Sequence, residues 1–244
     1  MSRPEDGARL DEWFVPRFGP LRFRIAIGLL FLPYTAMVLA FTVIGSMLAD
    51  TVRWDRVAAI MAIYFLALGV AAHALDAVGS RGTKPWGSVF SPRQLWFLAT
   101  GSTVLAYAIG IHYMLRDAPM LSWIAVAEGF FLLAYNLEWF RGRFHTDGWF
   151  ALSWGALPVL AGHVLQTNRL SWAAVLVAAA GAMLALVEIK ASRPYKALKR
   201  PGIGPPSEVE RVCREQLESI LKAVSLGVIL LGAGLSCWRW AGGG

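Results

Sequence analysis

Charge is scarce in this sequence. Only 16% of its 244 residues are Asp, Glu, Lys or Arg, whereas soluble domains carry about a quarter, and 57% are hydrophobic. Mean hydropathy is +0.52. That balance excludes an ordinary soluble globular domain. Cysteine is nearly absent. Cys213 and Cys237 fall on opposite sides of the membrane in the topology derived below, so they cannot pair. No CxxC or Cys/His spacing marks a structural zinc site, and both read as incidental packing residues. Also missing are a GxSxG nucleophile turn, an HExxH or HxxxH metal pair, and any Walker-type or dinucleotide glycine pattern. The first 20 residues lack the basic start, apolar core and small-residue cleavage site of a signal peptide, so the first apolar span is expected to remain in the protein. No repeat of fixed period stands out.

What the chain does have is a series of apolar runs of about 20 residues, the number of helical residues that spans the hydrocarbon core. Seven spans are expected, at 22–48, 57–79, 95–115, 119–137, 148–166, 170–191 and 217–238. Residues 1–244 then form one integral membrane domain, an all-α, polytopic helical bundle. Orientation follows from Lys and Arg. With the N-terminus in the cytoplasm, 18 of the 23 fall on inner segments, and only Arg53, Arg56, Arg116, Arg169 and Arg239 lie outside. The positive-inside rule therefore predicts a plasma (inner) membrane protein with its N-terminus in the cytoplasm and its C-terminus outside. Residues 1–20 become a cytoplasmic segment and 190–216 a basic cytoplasmic loop. The net charge of +7 is explained by topology and anionic inner-leaflet lipid, with no nucleic-acid partner. Ser207 and Glu210 form the pattern of a capping box, which predicts a helix that starts in water and runs into the last span. Trp54, Trp86, Trp96, Trp139, Trp149, Trp238 and Trp240 near span ends read as the interfacial belt.

Two polar groupings interrupt this pattern on the inner side. In AHALDAVGSRGTKPWGSVFSPRQ, Ala72 to Gln94, His73 and Asp76 are three apart and share one face of a helix end. Ionisable groups at such depth usually face the bundle interior or a wet cavity. Gly79, Gly82 and Pro85 then shape a loop carrying Arg81 and Lys84. The pair is either a metal or substrate site, or a helix-end carboxylate with a hydrogen-bonded imidazole. The second grouping sets Tyr135, Asn136 and Glu138 at one helix end, with Arg141, Arg143, His145 and Asp147 in the loop that follows. Acids, bases and imidazole this close suit a divalent cation together with an anionic group, or a mutually paired interfacial loop. Glu128, His163 and His112 lie within spans and are expected to serve as hydrogen bonds between helices.

The order of these features resembles the UbiA superfamily of intramembrane prenyltransferases. The family's NDxxDxxxD motif ends the second helix, where this chain reads Ala72 to Ser80, with Asp76 on the middle Asp, His73 in place of the first, and Ser80 in place of the last. Gly82-Thr83-Lys84-Pro85 through Gln94 is similar to the basic loop that follows. Tyr135, then Trp154-Gly155-Ala156-Leu157-Pro158, Ala161-Gly162 and Gln166-Thr167, are similar to the fifth helix and outer loop of quinone-type members. The resemblance covers about 60–200. Where the family has a second Asp motif, Leu186 to Pro194 offers only Glu188.

The resemblance implies a UbiA-like fold and a prenyltransferase-like transferase that acts on an isoprenoid or quinone-type lipid in a cytoplasm-facing intramembrane cavity. It implies magnesium or another divalent metal held by Asp76, His73 and Glu138. His73, Asp76, Glu138, His145 and Asp147 would carry the chemistry. Arg81, Lys84, Tyr135, Asn136, Arg141 and Arg143 would hold the substrate. Magnesium prefers hard oxygen ligands, so the imidazole at His73 equally suits a softer metal or acid–base chemistry without metal. Two other functions fit the same residues. One is an isoprenoid cyclase-like enzyme using Asp76 or Glu138 as a buried carboxylic acid. The other is a non-catalytic membrane subunit or lipid-binding scaffold whose inner polar residues pair among themselves.

Overall fold

The computed structural model describes residues 10–79, 89–199 and 207–242, and every regular element among them is helical. In chain order these are α1 (Leu21–Leu29), α2 (Leu32–Met47), α3 (Trp54–Gly79), α4 (Pro92–Arg116), α5 (Leu121–Asn136), α6 (Asp147–Thr167), α7 (Trp172–Leu198) and α8 (Glu208–Ala241). A short turn, Trp139–Gly142, lies between α5 and α6. Five of them, α3, α4, α6, α7 and α8, are long and apolar enough to cross a membrane, and α1 with α2 makes a sixth if their 42° bend falls within one span. The seven expected spans thus become five or six by length and composition. α5 occupies the expected 119–137 but has 16 residues, short of the roughly 20 that a bilayer requires.

The bend between α1 and α2 has a local cause. Pro33 in the first turn of α2 has no N–H to give and would crowd the carbonyl of Leu29, so a continuous helix cannot pass. Phe31 takes a left-handed conformation (φ 42°) at the break, and the Thr35 hydroxyl donates to the Leu30 carbonyl at 2.6 Å. Two other helices change pitch without breaking. α3 is π-helical over Phe65–Ala72 and α6 over Leu152–Ala156. Such segments are rare, add a residue to the turn and re-aim the side chains that follow.

Contacts sort the helix ends into two groups. At one end, here the basic end, lie the N-terminal segment, the last turns of α3, α5 and α7, and the starts of α6 and α8. The opposite end is tied by arginine. Buried Arg56 donates to the Leu165 carbonyl at 2.6 Å and pairs with Asp117. Gln166 exchanges hydrogen bonds with the Arg53 backbone, at 2.8 and 3.0 Å. Arg239, in the last turn of α8, donates to the carbonyls of Met47 and Ala49. Leu10 and Gly242 therefore sit at opposite ends of the bundle.

α6 is the enclosed helix: 78% of its apolar window is buried, against 22–50% for the other four long spans. It approaches α2 and α7 through glycine. A Cβ on Gly45 would overlap the Val159 carbonyl, one on Gly162 would overlap that of Thr42, and Gly155 and Gly181 meet backbone to backbone. Small residues let helices in lipid approach this closely, which is where their association energy comes from. The Ser46 hydroxyl donates to the Thr42 and Gly162 carbonyls in the same seam.

Two sequence expectations shift and a third gains detail. The basic loop set at 190–216 is mostly helix, because α7 continues through Pro194 to Leu198 and α8 begins at Glu208, with Ser207 and Glu210 forming the expected capping box. The N-terminal segment, expected only to be cytoplasmic, packs on the bundle, with Glu12 and Val15 buried. Cys213 and Cys237 are free and exposed, so neither packs inside. The glycine seam yields a direct test. Gly162→Leu should lower the thermal unfolding midpoint in detergent by roughly 5–10 °C through overpacking. Gly227→Ala, where the added methyl meets open space, should leave it unchanged.

Candidate functional site at the basic end

Six rings from three helices and two connecting segments form a continuous row across the basic end. Phe31, held at the α1–α2 break, stacks on His73 (centroids 5.1 Å apart), and His73 meets Trp154 edge-on at 5.4 Å. Trp154 stacks on Phe150 at 5.3 Å, Phe150 lies 6.0 Å from Tyr135, and Tyr135 stacks on His145 at 4.4 Å. The pitch changes build this row. His73 follows the π-helical segment of α3, and Trp154 sits inside that of α6. The left-handed backbone at Phe31 costs about 1–3 kcal/mol, and it is what lays the ring on His73.

Charged groups gather at both ends of the row. At the Tyr135 end, Arg193 of α7, Asp76 of α3 and Asp147 of α6 all lie within electrostatic reach of the Tyr135 side chain. Arg193 also pairs with Asp147 at 2.9 Å. At the Phe31 end, the Lys196 ammonium lies 4.7 Å from the Phe31 centroid and 5.4 Å from that of Tyr34. Glu188, fully buried on α7, accepts from the Ser225 hydroxyl at 3.2 Å. Its second carboxylate oxygen has no hydrogen-bond partner among the described residues. A cavity of about 10 Å³ is lined by Glu188, Lys196 and Phe31 together with Glu12, Trp13 and Phe14 of the N-terminal segment.

That segment is clamped in place. The Tyr195 hydroxyl lies between Glu12 Oε2 (3.0 Å) and Glu218 Oε2 (2.9 Å), and Lys199 Nζ donates to Glu12 Oε2 at 3.1 Å. Glu218 is held in turn by Lys222 at 2.7 Å. Buried charges of this kind persist only when paired and hydrogen-bonded, as here.

The residues expected from sequence are divided by this geometry. Asp76, Tyr135, Asp147, His73 and His145 belong to the row and its charged end. His73 Nδ1 lies 2.9 Å from the Gly69 carbonyl, and His145 Nδ1 lies 3.0 Å from that of Tyr135. Asn136 donates to the Leu132 carbonyl and its own carbonyl packs on Gly79, which joins the ends of α3 and α5. The Glu138 side chain makes no hydrogen bond or ion pair among the described residues. With Phe140 and Arg141 it adopts a left-handed backbone, and Arg141 and Arg143 are exposed. Arg81 and Lys84 lie outside the described residues. The expected metal donors Asp76, His73 and Glu138 do not gather: no group of three His, Cys, Asp or Glu able to hold an ion occurs among the described residues.

Sequence reading missed Arg193, Lys196 and the Glu12–Tyr195–Glu218 clamp. The signal was available. Glu188, Ser192, Tyr195 and Lys199 fall at i, i+4, i+7 and i+11, one stripe of a helix, but the expected span ended at 191 and left the rest in a basic loop. Removing the clamp should free the N-terminal segment. In Glu12→Ala, tryptic cleavage after Arg17 should quicken by about tenfold or more, on the scale of a lost hydrogen bond to a charged group. An unchanged cleavage rate would show that the segment is held by its aromatic contacts alone. Comparison with protein-family models, with curated proteins and with solved structures finds nothing that matches this chain.

Proposed function

We propose that the chain is a plasma-membrane protein with seven spans, its N-terminus and basic end in the cytoplasm, which acts at that end on an isoprenoid or quinone-type lipid in the manner of a UbiA-like prenyltransferase. The observation that carries the reading is the convergence of Asp76, Tyr135, Asp147 and Arg193, from four separate helices, at one end of an aromatic row inside an otherwise apolar bundle. Each part has a chemical use. The guanidinium of Arg193 has five N–H donors, more than Asp147 consumes, so it retains capacity for an anionic head group. Lys196 supplies a second positive charge. The ring faces offer an unsaturated chain a surface that favours positive charge as it develops on the lipid. Asp76 and Asp147 beside the Tyr135 hydroxyl can hold or move a proton. The described donors do not fit the expected metal triad, so no step is routed through a metal.

A second reading, a non-catalytic lipid-binding subunit, draws on the mutual pairing of Arg193 with Asp147 and on the bond from His73 to its own helix. Lipid retention tests the site, and prenyl transfer by the purified protein separates the two. Protein purified in mild detergent should carry an isoprenoid or quinone-type lipid in native mass spectra. Arg193→Ala and Lys196→Ala should each lower its occupancy by about tenfold or more. Arg211→Ala, an exposed pair with Glu208 on the first turns of α8, should retain it. Equal retention in all three, or phospholipid alone, sinks the proposal. Orientation has its own check: a reporter fused after residue 244 should behave as extracytoplasmic and one inserted near 202 as cytoplasmic.

A further inference from the structure

Midway along the bundle α3, α4 and α5 stand apart around a cleft, with Ala161 of α6 also in its wall. It holds a cavity of about 60 Å³, below the ~300–1,000 Å³ usual for sites that enclose a whole small molecule, so it suits the polar head of a ligand whose apolar chain stays outside it. The walls are apolar except for three side chains. The Tyr64 hydroxyl donates to Glu128 Oε1 at 2.8 Å, and the Tyr107 hydroxyl donates to the Ala125 carbonyl at 2.8 Å. Glu128 Oε2 is shielded from solvent and has no hydrogen-bond partner among the described residues. No lysine or arginine lines the cleft.

Local sequence makes the space. The π-helical part of α3 contributes Ala67 and Leu68 to the wall, and Ala106, Gly110 and Ala125 leave room where larger residues would fill it. Gly129 lies directly under the Tyr107 hydroxyl, where any Cβ would collide, so α4 and α5 meet there through a glycine. A polar atom left unpaired in a hydrocarbon layer costs several kcal/mol, and intramembrane acids of this kind usually face a ligand or ion path.

We propose that this cleft binds an apolar, lipid-dissolved molecule that carries a neutral hydrogen-bonding oxygen, a quinone carbonyl or a prenol hydroxyl, and that Glu128 Oε2 engages that oxygen. A neutral carboxylic acid is both donor and acceptor, and Tyr64 fixes its orientation by holding the other oxygen. The site lies on different residues from the basic end and does not rest on the function proposed for it.

Photolabelling tests the cleft with the full chain in detergent, using two probes: a diazirine-bearing farnesol and a diazirine-bearing decyl benzoquinone. At least one should label peptides covering 60–68 and 121–132, in competition with its unlabelled parent; the probe that labels identifies the class. Glu128→Leu should reduce labelling by about tenfold, whereas Glu128→Gln, which keeps a donor and an acceptor, should stay within about threefold of the unsubstituted protein. Ala125→Phe should abolish labelling by filling the cleft with the Tyr64–Glu128 bond intact, and it decides the matter if Glu128→Leu does not fold. Absence of competed labelling, or labelling that survives Ala125→Phe, overturns the proposal. So does labelling lost in Lys196→Ala but kept in the cleft variants, since that binding would belong to the basic end.

Discussion

The close backbone contact of α6 with its neighbours is the constraint on which the rest of this bundle depends. In a bilayer, apolar side chains gain nothing by leaving lipid for protein, so helices associate through dispersion contact and short polar links at near range. Gly45, Gly162, Gly155 and Gly181 bring three backbones to that range. The aromatic row and the cleft around Glu128 both border this seam, through Trp154 beside Gly155 and Ala161 beside Gly162.

The basic end answers a difficulty that such an apolar bundle creates. Asp76, Asp147, Glu188, Arg193 and Lys196 are ionisable groups attached to apolar helices, and each needs a partner or water. α7 supplies both bases, one to each end of the ring row, so a single helix face organises the charge contributed by α3 and α6. The N-terminal segment then shields the Phe31 end with its own acid, Glu12, held by Tyr195 and Lys199.

Much of the architecture was legible in the sequence because hydropathy and charge asymmetry are long-range signals that survive local detail. Six of the seven expected spans each overlap one helix and the first overlaps the bent pair α1–α2, although α5 is short for a span, and the Ser207–Glu210 capping box stands where its pattern placed it. Pitch changes were not legible. Nothing in the composition of 65–72 or 152–156 marks a π-helical turn, since it arises from how neighbouring helices pack. The same limit hid part of the candidate site. Asp76, Tyr135 and Asp147 stood out by residue type at helix ends, but Arg193 and Lys196 looked like topological loop charges. Pro194 is accommodated inside α7. Glu138, Arg141 and Arg143 drew notice for their chemistry, yet the left-handed turn at 138–141 carries them away from the rings.

The tie between α2 and α8 bears on how the molecule is made. α2 leaves the ribosome early and α8 late, yet they pack along each other, and the carbonyls at the end of α2 find their donor in Arg239. Through most of synthesis, therefore, one face of α2 meets lipid or the insertion machinery in place of its native neighbour, and its terminal carbonyls are satisfied by water at the bilayer surface. Assembly of this protein is consequently a closing of α2 onto α8, governed by the moment α8 becomes available and not by the order in which individual spans insert.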